Sequence, residues 1–530
     1  MTEYDLPLAA RQPYTWGNAD TPGHLPAAAA DALAVLGAVP TDPPVPAKDA
    51  HVPDTALPAT ATAELAAMLG ANRLTCEHAA RVEHTRGYST TDLLTLRGGD
   101  ASDAPDAVVF PGSTEDVVAV LDICSRHRIA VVPYAGGTSV VGGLTPARDG
   151  FAGVLAMDLR RLNRLVHIDA VSRTAVLQAG MRGVTAEQLL GERGYTLGHF
   201  PQSYEMATIG GYAAARSAGQ SSAGYGRFDE MVVGLTLATA RGPLSLGAAP
   251  MSSAGPDLRQ LVLGSEGAFG VITSVTARIR PTPAARVFEG WRFDSFAEGA
   301  TALRALAQDG PLPTVLRLSD EAETAINLAD PGAAGSAGAG GCLAVVGYEG
   351  TEEWVAATRA DATKRLLEHG GTQQGEPAGE RWRTGRFRGP YLRDPLLDAG
   401  VLVETMETAT FWSGLPALKA AVTEAVQGAL GVPGLVMCHI SHVYETGASL
   451  YFTVVAKQTE DPVRQWRRAK TAALAAIDEH GAAVSHHHGV GTDHRAALEQ
   501  QLGPIGTDLL RAIKASLDPA GVLNPGVLIG

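Results

Sequence analysis

The chain has 530 residues, 45% of them hydrophobic, with no apolar run of 18 residues, so we expect two or three soluble globular domains and no transmembrane segment. A formal net charge of −14 without a basic block argues against nucleic acid and favours a small-molecule ligand, because binding to a phosphate backbone needs clustered Lys and Arg. The four cysteines are scattered, which argues against a disulfide framework and a thiolate metal site.

The first 104 residues are predicted to form a leader with helices. Residues 27–36 and 61–84 have helical apolar spacing, whereas the proline-rich residues 39–46 cannot form a helix. The N-terminus lacks the basic start and apolar core of a secretion signal, and the C-terminus lacks a peroxisomal tripeptide. We therefore expect a cytoplasmic protein.

Residues 105–282 are predicted to form an α+β domain around a glycine loop at 133–139. The loop follows a short, β-branched strand, and its adjacent Gly136 and Gly137 leave backbone N–H groups open on one side. We interpret it as an anion cradle that fits a pyrophosphate, although it is not the Gly-x-Gly-x-x-Gly fingerprint of a Rossmann fold. The other elements predicted here are strands at 106–110, 129–132, 154–159, 165–168 and 174–178, a helix that begins at Ser113, and a helix at 185–193.

Two further stretches of this domain are rich in glycine and other small residues. The first spans 199–226 and includes Gly210 and Gly211, and the second spans 263–273 and joins glycines to an apolar strand. Small residues let a backbone pass close to a flat or bulky group. A tightly packed turn and helix start is the alternative interpretation of the first stretch.

Residues 283–440 are predicted to form an α+β cap domain, and residues 441–530 to return to the first domain and complete the site. The Gly/Ala run at 331–341 is typical of a flexible loop. The other elements predicted for the cap are helices at 296–307, 352–369 and 417–430 and strands at 314–318 and 342–348.

The C-terminal third contains three consecutive histidines, His486, His487 and His488. In an extended segment the first and third would face one way and the second the other, so at most two would serve one site unless the backbone turns. A solvated patch, or a metal site that also uses His439 and His442, is the alternative to a catalytic role.

Together the three glycine-rich pieces resemble, in order and spacing, the FAD-binding domain of the vanillyl-alcohol-oxidase (PCMH-type) flavoproteins. The resemblance implies that the first piece holds the FAD pyrophosphate, that the second lies along the isoalloxazine and ribityl, and that the third closes on the adenosine side. Where many members have a histidine that bonds the flavin, this loop has Thr138, so we expect noncovalent FAD. The cofactor-binding residues implied are Pro133, Tyr134, Ala135, Gly136, Gly137, Thr138, Ser139, Pro201, Gln202, Ser203, Ala207, Thr208, Gly210, Gly211, Ala214, Arg216, Ser217, Glu266, Gly267, Gly270, Val271 and Ile272.

Residues 80–530 resemble the alkyldihydroxyacetonephosphate synthase branch of this family, with a weaker match at 15–17. The motifs that carry the likeness are Tyr391-Leu-Arg-Asp, Glu404-Thr-Met-Glu-Thr, Tyr444-Glu-Thr-Gly and Ser485-His-His-His-Gly-Val-Gly. No metal is expected. The roles implied are Tyr444 as acid/base, Arg393 as holder of an anionic substrate group, and His486, His487 and His488 as residues that shape the pocket beside the flavin. Arg317, on the strand predicted at 314–318, is a second candidate substrate residue.

The resemblance leaves two activities open. One is a transfer without net redox change, in which a fatty alcohol replaces the acyl group of a dihydroxyacetone phosphate ester. The other is FAD-dependent oxidation of a hydroxyl-bearing small molecule, such as a 2-hydroxyacid or a specialised metabolite. Members of the D-lactate type usually have Glu-His-Gly where this chain has His487-His488-Gly489, which counts against the second. A flavin-binding protein without activity is disfavoured, because Tyr444, Arg393 and the histidines occur together.

Two departures from the ether-lipid enzymes weaken the case for a long-chain substrate. The loop at 331–341 is shorter and less apolar than the insert of those enzymes, and Thr492-Asp493-His494 stands where the animal enzymes have a basic residue. We also expect a homodimer, and contact with a membrane surface is left open.

Overall fold

The structure, a computed structural model, describes residues 14–17, 23–336, 338 and 340–530. Predictions for the rest of the leader and for residues 337 and 339 of the Gly/Ala loop lie outside the described residues. Within the described ranges, no helix combines the length and the apolar character needed to cross a bilayer.

The strands of the described residues form three larger sheets and one two-stranded ribbon. In chain order they are β1 Leu74–Thr75, β2 Ala107–Val109, β3 Ile129–Tyr134, β4 Gly153–Asp158, β5 Leu165–Asp169, β6 Thr174–Gln178, β7 Tyr195–Thr196, β8 Val232–Thr239, β9 Gly242–Leu246, β10 Val271–Arg278, β11 Arg280–Pro281, β12 Ala285–Phe293, β13 Val315–Ser319, β14 Cys342–Gly350, β15 Thr372–Gly375, β16 Val401–Phe411, β17 Gly434–Val443 and β18 Gly447–Lys457.

The helices of the same residues lie between these strands and in the two terminal parts. The last of them is kinked at Gly503, which has a φ of 67° and precedes Pro504. In chain order they are α1 Ala27–Leu36, α2 Ala59–Leu69, α3 His78–Glu83, α4 Thr90–Arg97, α5 Thr114–His127, α6 Gly183–Gly191, α7 Ile209–Ala215, α8 Ser222–Tyr225, α9 Phe228–Met231, α10 Arg259–Val262, α11 Phe296–Asp309, α12 Glu321–Ala325, α13 Glu352–Glu368, α14 Glu376–Gly385, α15 Arg393–Asp398, α16 Leu415–Leu430, α17 Pro462–Glu479 and α18 Arg495–Leu517.

The glycine loop leaves a four-stranded sheet with the order β1-β2-β4-β3. Strands β2, β4 and β3 are parallel and therefore need a crossover, which α5 provides between β2 and β3. The Ser113 side chain caps α5 by accepting from the backbone N–H of Asp116, as predicted. The C-terminal segment reaches the same sheet through a bridge between Val131 and Leu523.

An antiparallel sheet with the order β5-β6-β10-β8-β9 follows. Its core is shared with α6 and α7. Helix α7 packs closely against the end of β6, because a Cβ at Gly210 would lie 2.6 Å from the Cβ of Ala179. The small residues predicted to allow close packing therefore do so here against the protein itself.

The C-terminal half is built on an antiparallel sheet with the order β15-β12-β14-β13-β17-β18-β16. One face shares a core with α11, α13, α16 and α17, and the other face contributes to the cavity described below. The domain boundary expected at residue 440 falls within β17, which pairs with β13 and β18. Residues on both sides of that boundary therefore belong to one sheet.

The predicted strands and helices between residues 105 and 440 are confirmed as elements, with ends shifted by a few residues. The single helical stretch predicted at 61–84 is wrong. Helix α2 ends at Leu69 because Gly70 has a φ of 90°, and β1 then pairs with β2 before α3 begins. The apolar residues before and after Gly70 both have helical spacing, so the break was not evident from the sequence pattern. Strands β16, β17 and β18 have no counterpart among the elements predicted from the sequence.

Candidate active site

A cavity of about 730 Å³ is lined jointly by the glycine-rich pieces and by one face of the seven-stranded sheet. Its volume is in the range of sites that hold cofactors and drug-sized ligands. Residues predicted from three separate parts of the sequence therefore meet in one place.

The glycine loop forms a wall made largely of backbone. Gly137 has a φ of 63°, and a Cβ at Gly136 would lie 2.5 Å from the carbonyl oxygen of Met206, so both positions exclude ordinary side chains. At the start of the loop, the Tyr134 hydroxyl donates to the carbonyl oxygen of Glu83 at 3.0 Å. The loop residues that line the cavity are Pro133, Tyr134, Ala135, Gly136, Gly137, Thr138 and Ser139.

The second and third pieces extend this wall. Arg216 is the exception among the predicted cofactor residues, because it lies outside the lining. Its NH1 pairs with Asp229 at 3.0 Å, and its Nε and NH2 donate to the carbonyl oxygens of Leu263 and Gln260, so its donors are used within the fold. The predicted residues that do line the cavity are Pro201, Gln202, Ser203, Ala207, Thr208, Gly210, Gly211, Ala214, Ser217, Glu266, Gly267, Gly270, Val271 and Ile272.

Glu266 ties the glycine-rich wall to the segment that follows the histidines. Its carboxylate accepts from the backbone N–H of Val490 at 2.8 Å and of Gly491 at 3.0 Å. Burial raises the pKa of Glu266 to about 7, although these two donors act in the opposite direction. The carboxyl group is therefore a structural link whose charge varies near neutral pH.

The alternation of side chains along β17 and β18 selects the residues of the opposite wall. Odd-numbered positions from 435 to 441 line the cavity, and the even-numbered positions between them are in the core. A register shift between Ile440 and Val443 then brings His442 into the lining as well. On β18, Tyr451 faces the same cavity.

Glu407 on β16 positions the three histidines. It is 1% exposed and accepts from the Ser485 hydroxyl at 2.7 Å and from the backbone N–H groups of His486, His487 and His488 at 2.6, 3.1 and 2.8 Å. The backbone therefore turns around one carboxylate, and the extended arrangement considered for these histidines does not occur. Burial alone would raise the pKa of Glu407, but the histidine rings, when they are protonated, and the backbone N–H donors hold it well below 4.5.

The histidine rings differ in their access to the cavity. His487 and His488 are in the lining and His486 is not, but the His486 ring stacks on the ring of His442 with centroids 5.1 Å apart. Burial lowers the pKa of His442 and of the three consecutive histidines, to about 3 for His488. The rings are therefore neutral at pH 7, and they can pass or accept protons but do not act as fixed cations.

Tyr444 lies beside this cluster and outside the cavity lining. Its hydroxyl is 2.5 Å from Nε2 of His486. Burial raises the pKa of Tyr444 to about 12, although a hydrogen bond from Arg227 acts to lower it, and Asp229 holds that guanidinium at 3.0 Å. Sequence reasoning missed Arg227, which follows the small-residue stretch and had no motif to mark it.

Arg317 lines the cavity, as a substrate residue should. However, its NH2 is 2.5 Å from the Glu323 carboxylate and 3.0 Å from Nδ1 of His439. Glu323 is fully buried, so the ion pair largely balances the charge of Arg317 within the protein. Sequence reasoning also missed Glu323, which lies six residues after Arg317 on the short helix α12.

Arg393 lines the cavity from the first turn of α15. Its NH1 donates to the carbonyl oxygen of Tyr88 and lies 4.0 Å from the carboxylate of Glu404. The guanidinium is thus anchored on two other parts of the chain. Its predicted role as an anion holder stays a prediction.

One part of the cavity is apolar and belongs to α1 and the loop after α12. The Gly/Ala loop packs against α1, because a Cβ at Gly335 would lie 2.6 Å from the Cα of Ala29. The described part of the loop is therefore held by a close backbone contact. The apolar residues that line this part are Leu25, Leu33, Leu36, Ile326, Leu328 and Ala334.

The second departure from the ether-lipid enzymes has a structural explanation. Asp493 is paired with Lys470, whose Nζ lies 2.7 Å from the carboxylate, and neither residue lines the cavity. The acidic residue at this position therefore gives no argument about the substrate.

His442, His486 and His487 present ring nitrogens within 4.8 Å of one another, a spacing that could hold a metal ion. Both nitrogens of His486 already have partners, since Nδ1 is 2.9 Å from Nδ1 of His487 and Nε2 is bonded to Tyr444. The expected absence of a metal stays a prediction.

Known proteins match both halves of the chain. Residues 105–245 match the family model described as FAD binding domain, and residues 282–528 match FAD linked oxidases, C-terminal domain. The alkyldihydroxyacetonephosphate synthase of Dictyostelium discoideum is 31% identical over 490 residues, which cover 88% of this chain and 80% of that protein. A solved alkyldihydroxyacetonephosphate synthase is 27% identical with a TM-score of 0.82, over 97% of this chain and 98% of that one. P-cresol methylhydroxylase, 19% identical over 88% of this chain and 96% of its own, shares the fold with a TM-score of 0.68.

These matches and the cavity define an α+β flavoenzyme with a PCMH-type FAD-binding domain, so the predicted fold class is confirmed. The chain belongs to the FAD-linked oxidase family, and within it resembles the alkyldihydroxyacetonephosphate synthases. The predicted cofactor, FAD, is confirmed as well. A Cβ would clash at Gly136, and Gly137 has a positive φ, so this wall fits the close approach of a pyrophosphate to backbone N–H groups.

We expect the flavin to be held without a covalent bond, because position 138 of the glycine loop is threonine. Acid precipitation of the purified yellow protein should release all of the FAD into the supernatant, where its absorbance is measured. Flavin colour that stays in the washed pellet would contradict this expectation.

Glu407→Gln should destabilise the protein by about 2–3 kcal/mol at pH 7, because an amide offers one acceptor oxygen where four donors converge. The folded-state pKa of Glu407 lies below its usual 4.5. The stabilisation is therefore complete above that value and is lost as the pH falls toward the folded-state pKa. Urea unfolding at pH 7 and pH 4 should show a difference from wild type that narrows at the lower pH.

The control is Glu460→Gln, an exposed carboxylate, which should be within about 0.5 kcal/mol of wild type at both pH values. Equal unfolding midpoints for the two variants would mean that Glu407 does not hold the histidine segment.

Proposed function

We propose that the protein catalyses the exchange of the acyl group of an acyl dihydroxyacetone phosphate ester for the alkyl group of a fatty alcohol. The observation that carries the proposal is one continuous cavity, lined by a backbone cradle for FAD, a histidine cluster and an apolar part. The similarity to the alkyldihydroxyacetonephosphate synthases, whose name describes this reaction product, supports it.

The apolar part favours a substrate with a hydrocarbon chain. Leu25, Leu33 and Leu36 from the α1 region face the cavity together with Ile326 and Leu328. Removing such a chain from water contributes roughly 25 cal/mol per Å² of buried apolar surface. A 2-hydroxyacid would leave these side chains without a partner.

The polar part supplies the proton transfers. Bound FAD supplies an electron-accepting centre for the substrate carbon. The neutral His442, His487 and His488 line the cavity and can accept a proton from an alcohol and donate one to a departing carboxylate. We infer that Tyr444 acts through His486, because the phenol is hydrogen bonded to that ring and lies outside the lining.

The competing activity is oxidation of a hydroxyl-bearing substrate. Anaerobic mixing of the enzyme with an acyl dihydroxyacetone phosphate ester and hexadecanol should yield the ether product and free fatty acid, with the flavin spectrum restored after turnover. Flavin bleaching by 2-hydroxyacids that persists until an electron acceptor is added would instead identify an oxidoreductase.

The remaining inferences concern the setting of the enzyme. The cytoplasmic location stays a prediction from the sequence. The homodimer and contact with a membrane surface stay predictions from the sequence.

Tyr444→Phe should lower kcat by roughly 10²–10⁴ with FAD still bound, because it removes the hydroxyl that bonds to His486 and leaves the ring in place. The pH dependence of kcat should also change, which a purely structural role would not produce. Turnover is measured together with flavin absorbance per protein.

Tyr195→Phe is the matched control, because Tyr195 lies on β7 and outside the cavity lining, and it should leave turnover unchanged. A fully flavinated Tyr444→Phe enzyme with wild-type kcat would remove the tyrosine from the mechanism and leave the histidines to transfer the proton.

A further inference from the structure

Arg386 is a third arginine of the cavity wall, and none of the motifs singled it out. It follows α14 and lines the main cavity beside Trp382. It also lines a smaller cavity of about 210 Å³, together with Phe200, Arg286, Glu349 and Arg383. Arg386 therefore contributes to the walls of both cavities.

Three aromatic rings fix the position of this guanidinium. Its Cζ lies 4.9 Å from the ring centroid of Phe387, 5.0 Å from that of Phe200 and 5.8 Å from that of Trp382. Aromatic faces attract a cation, but they accept none of its hydrogen bonds in the guanidinium plane. The rings hold the group in place and leave its donors available to a ligand.

The side-chain donors of Arg386 have no hydrogen-bond partners among the described residues. Nε and NH1 are buried and find no hydrogen-bond acceptor in the part of the chain that the structure describes. No carboxylate of those residues lies within 4.0 Å, whereas Arg317 pairs with Glu323 and Arg393 approaches Glu404. The carboxylate of the smaller cavity, Glu349, is engaged by Arg286 at 3.4 Å and by the Tyr225 hydroxyl at 2.9 Å.

Arg386 is half-buried, and a cation partly removed from water without a counter-charge is unfavourable, which a bound anion would relieve. Burial lowers the pKa of Arg386 to about 10, so the group remains charged at pH 7. A guanidinium presents two parallel N–H donors that match the oxygens of a phosphate.

The surrounding cavity wall adds neutral polar groups. Gln220 donates from Nε2 to the carbonyl oxygen of Arg386 at 3.2 Å, which leaves its Oε1 buried and without a partner among the described residues. Gln202 and Ser203 also line the cavity. An unpaired acceptor beside an unpaired cation suits an anion that carries a hydroxyl group close by.

We propose that Arg386 binds the phosphate group of the substrate, and that Gln220 accepts a hydrogen bond from an adjacent substrate hydroxyl. The inference rests on the proposed function, because it assigns the phosphate of that substrate to a specific side chain. The phosphate that Arg386 binds could belong to the substrate or to the FAD pyrophosphate. We favour the substrate, because the glycine loop already offers a backbone cradle for the pyrophosphate.

The test compares Arg386→Gln with wild-type holoenzyme. The probes are inorganic phosphate and dihydroxyacetone phosphate, with binding followed by calorimetry and by the absorbance of bound flavin. Loss of two charge-assisted hydrogen bonds should weaken the binding of both probes by roughly 10-fold to 100-fold. FAD content should stay at the wild-type level, and KM should rise for the phosphate ester but not for the alcohol.

The matched control is Arg383→Gln, one turn earlier. Arg383 pairs with Glu380 at 2.7 Å and lines the smaller cavity but not the main one. Its loss should therefore leave phosphate binding unchanged. Arg386→Lys should restore part of the binding, since an ammonium keeps the charge but lacks the planar fork, and it serves as the second variant if Arg386→Gln does not fold.

Three outcomes would overturn the assignment. The first two are unchanged phosphate binding in Arg386→Gln and absence of phosphate binding in the wild-type enzyme. The third is loss of FAD from Arg386→Gln with phosphate binding intact in the remaining holoenzyme, which would assign the guanidinium to the cofactor. The binding measurements need no turnover, so phosphate binding that depends on Arg386 supports the assignment even if no ether product forms. The absence of ether product would refute the proposed reaction and leave the assignment of Arg386 intact.

Discussion

The buried carboxylate of Glu407 is the constraint on which the polar half of the site depends. One side chain on the edge strand β16 accepts three consecutive backbone N–H groups and one hydroxyl, so it replaces the water that these groups would otherwise bind. A loop between α17 and α18 would have no regular hydrogen-bond partners of its own. The carboxylate supplies them, and it thereby fixes which rings face the cavity and which lie behind it.

The second constraint is the alternation of side chains in the seven-stranded sheet. Positions on β17 and β18 alternate between a core under four helices and the cavity, and this places Tyr451 opposite the histidine segment. The irregular pairing near Ile440 changes the phase, so His442 joins the cavity face. A straight strand would have buried the ring of His442, which stacks on His486, and the cavity would then have lost one of its histidines.

Local patterns predicted much of this structure, and long-range contacts account for what they missed. The strand, helix and glycine loop at 106–139 carry their own turn and capping signals, so both the elements and the cradle could be predicted. Arg216 sits within the cofactor motif, but its donors go to α10 and Asp229, which no local pattern reveals. Glu407 is separated from its partners by about 80 residues, and Arg227 meets Tyr444 only because two domains pack together.

The three arginines of the cavity lining differ in how far a nearby carboxylate balances their charge. Arg317 is matched by Glu323, and Arg393 approaches Glu404, so a ligand that enters from solvent meets two cations whose fields are already partly cancelled. Arg386 differs, because aromatic rings position it and leave its charge uncompensated by any described carboxylate within 4.0 Å. An amphipathic substrate would then bind with its anionic head at Arg386 and its apolar tail against the apolar part of the lining. The reacting carbon would be held beside the neutral histidines, where a fixed charge would hinder the departure of a carboxylate and the entry of an alcohol. Because Arg386 and the neutral histidines are different residues of one lining, the binding of an anion and the transfer of protons need not depend on the same group.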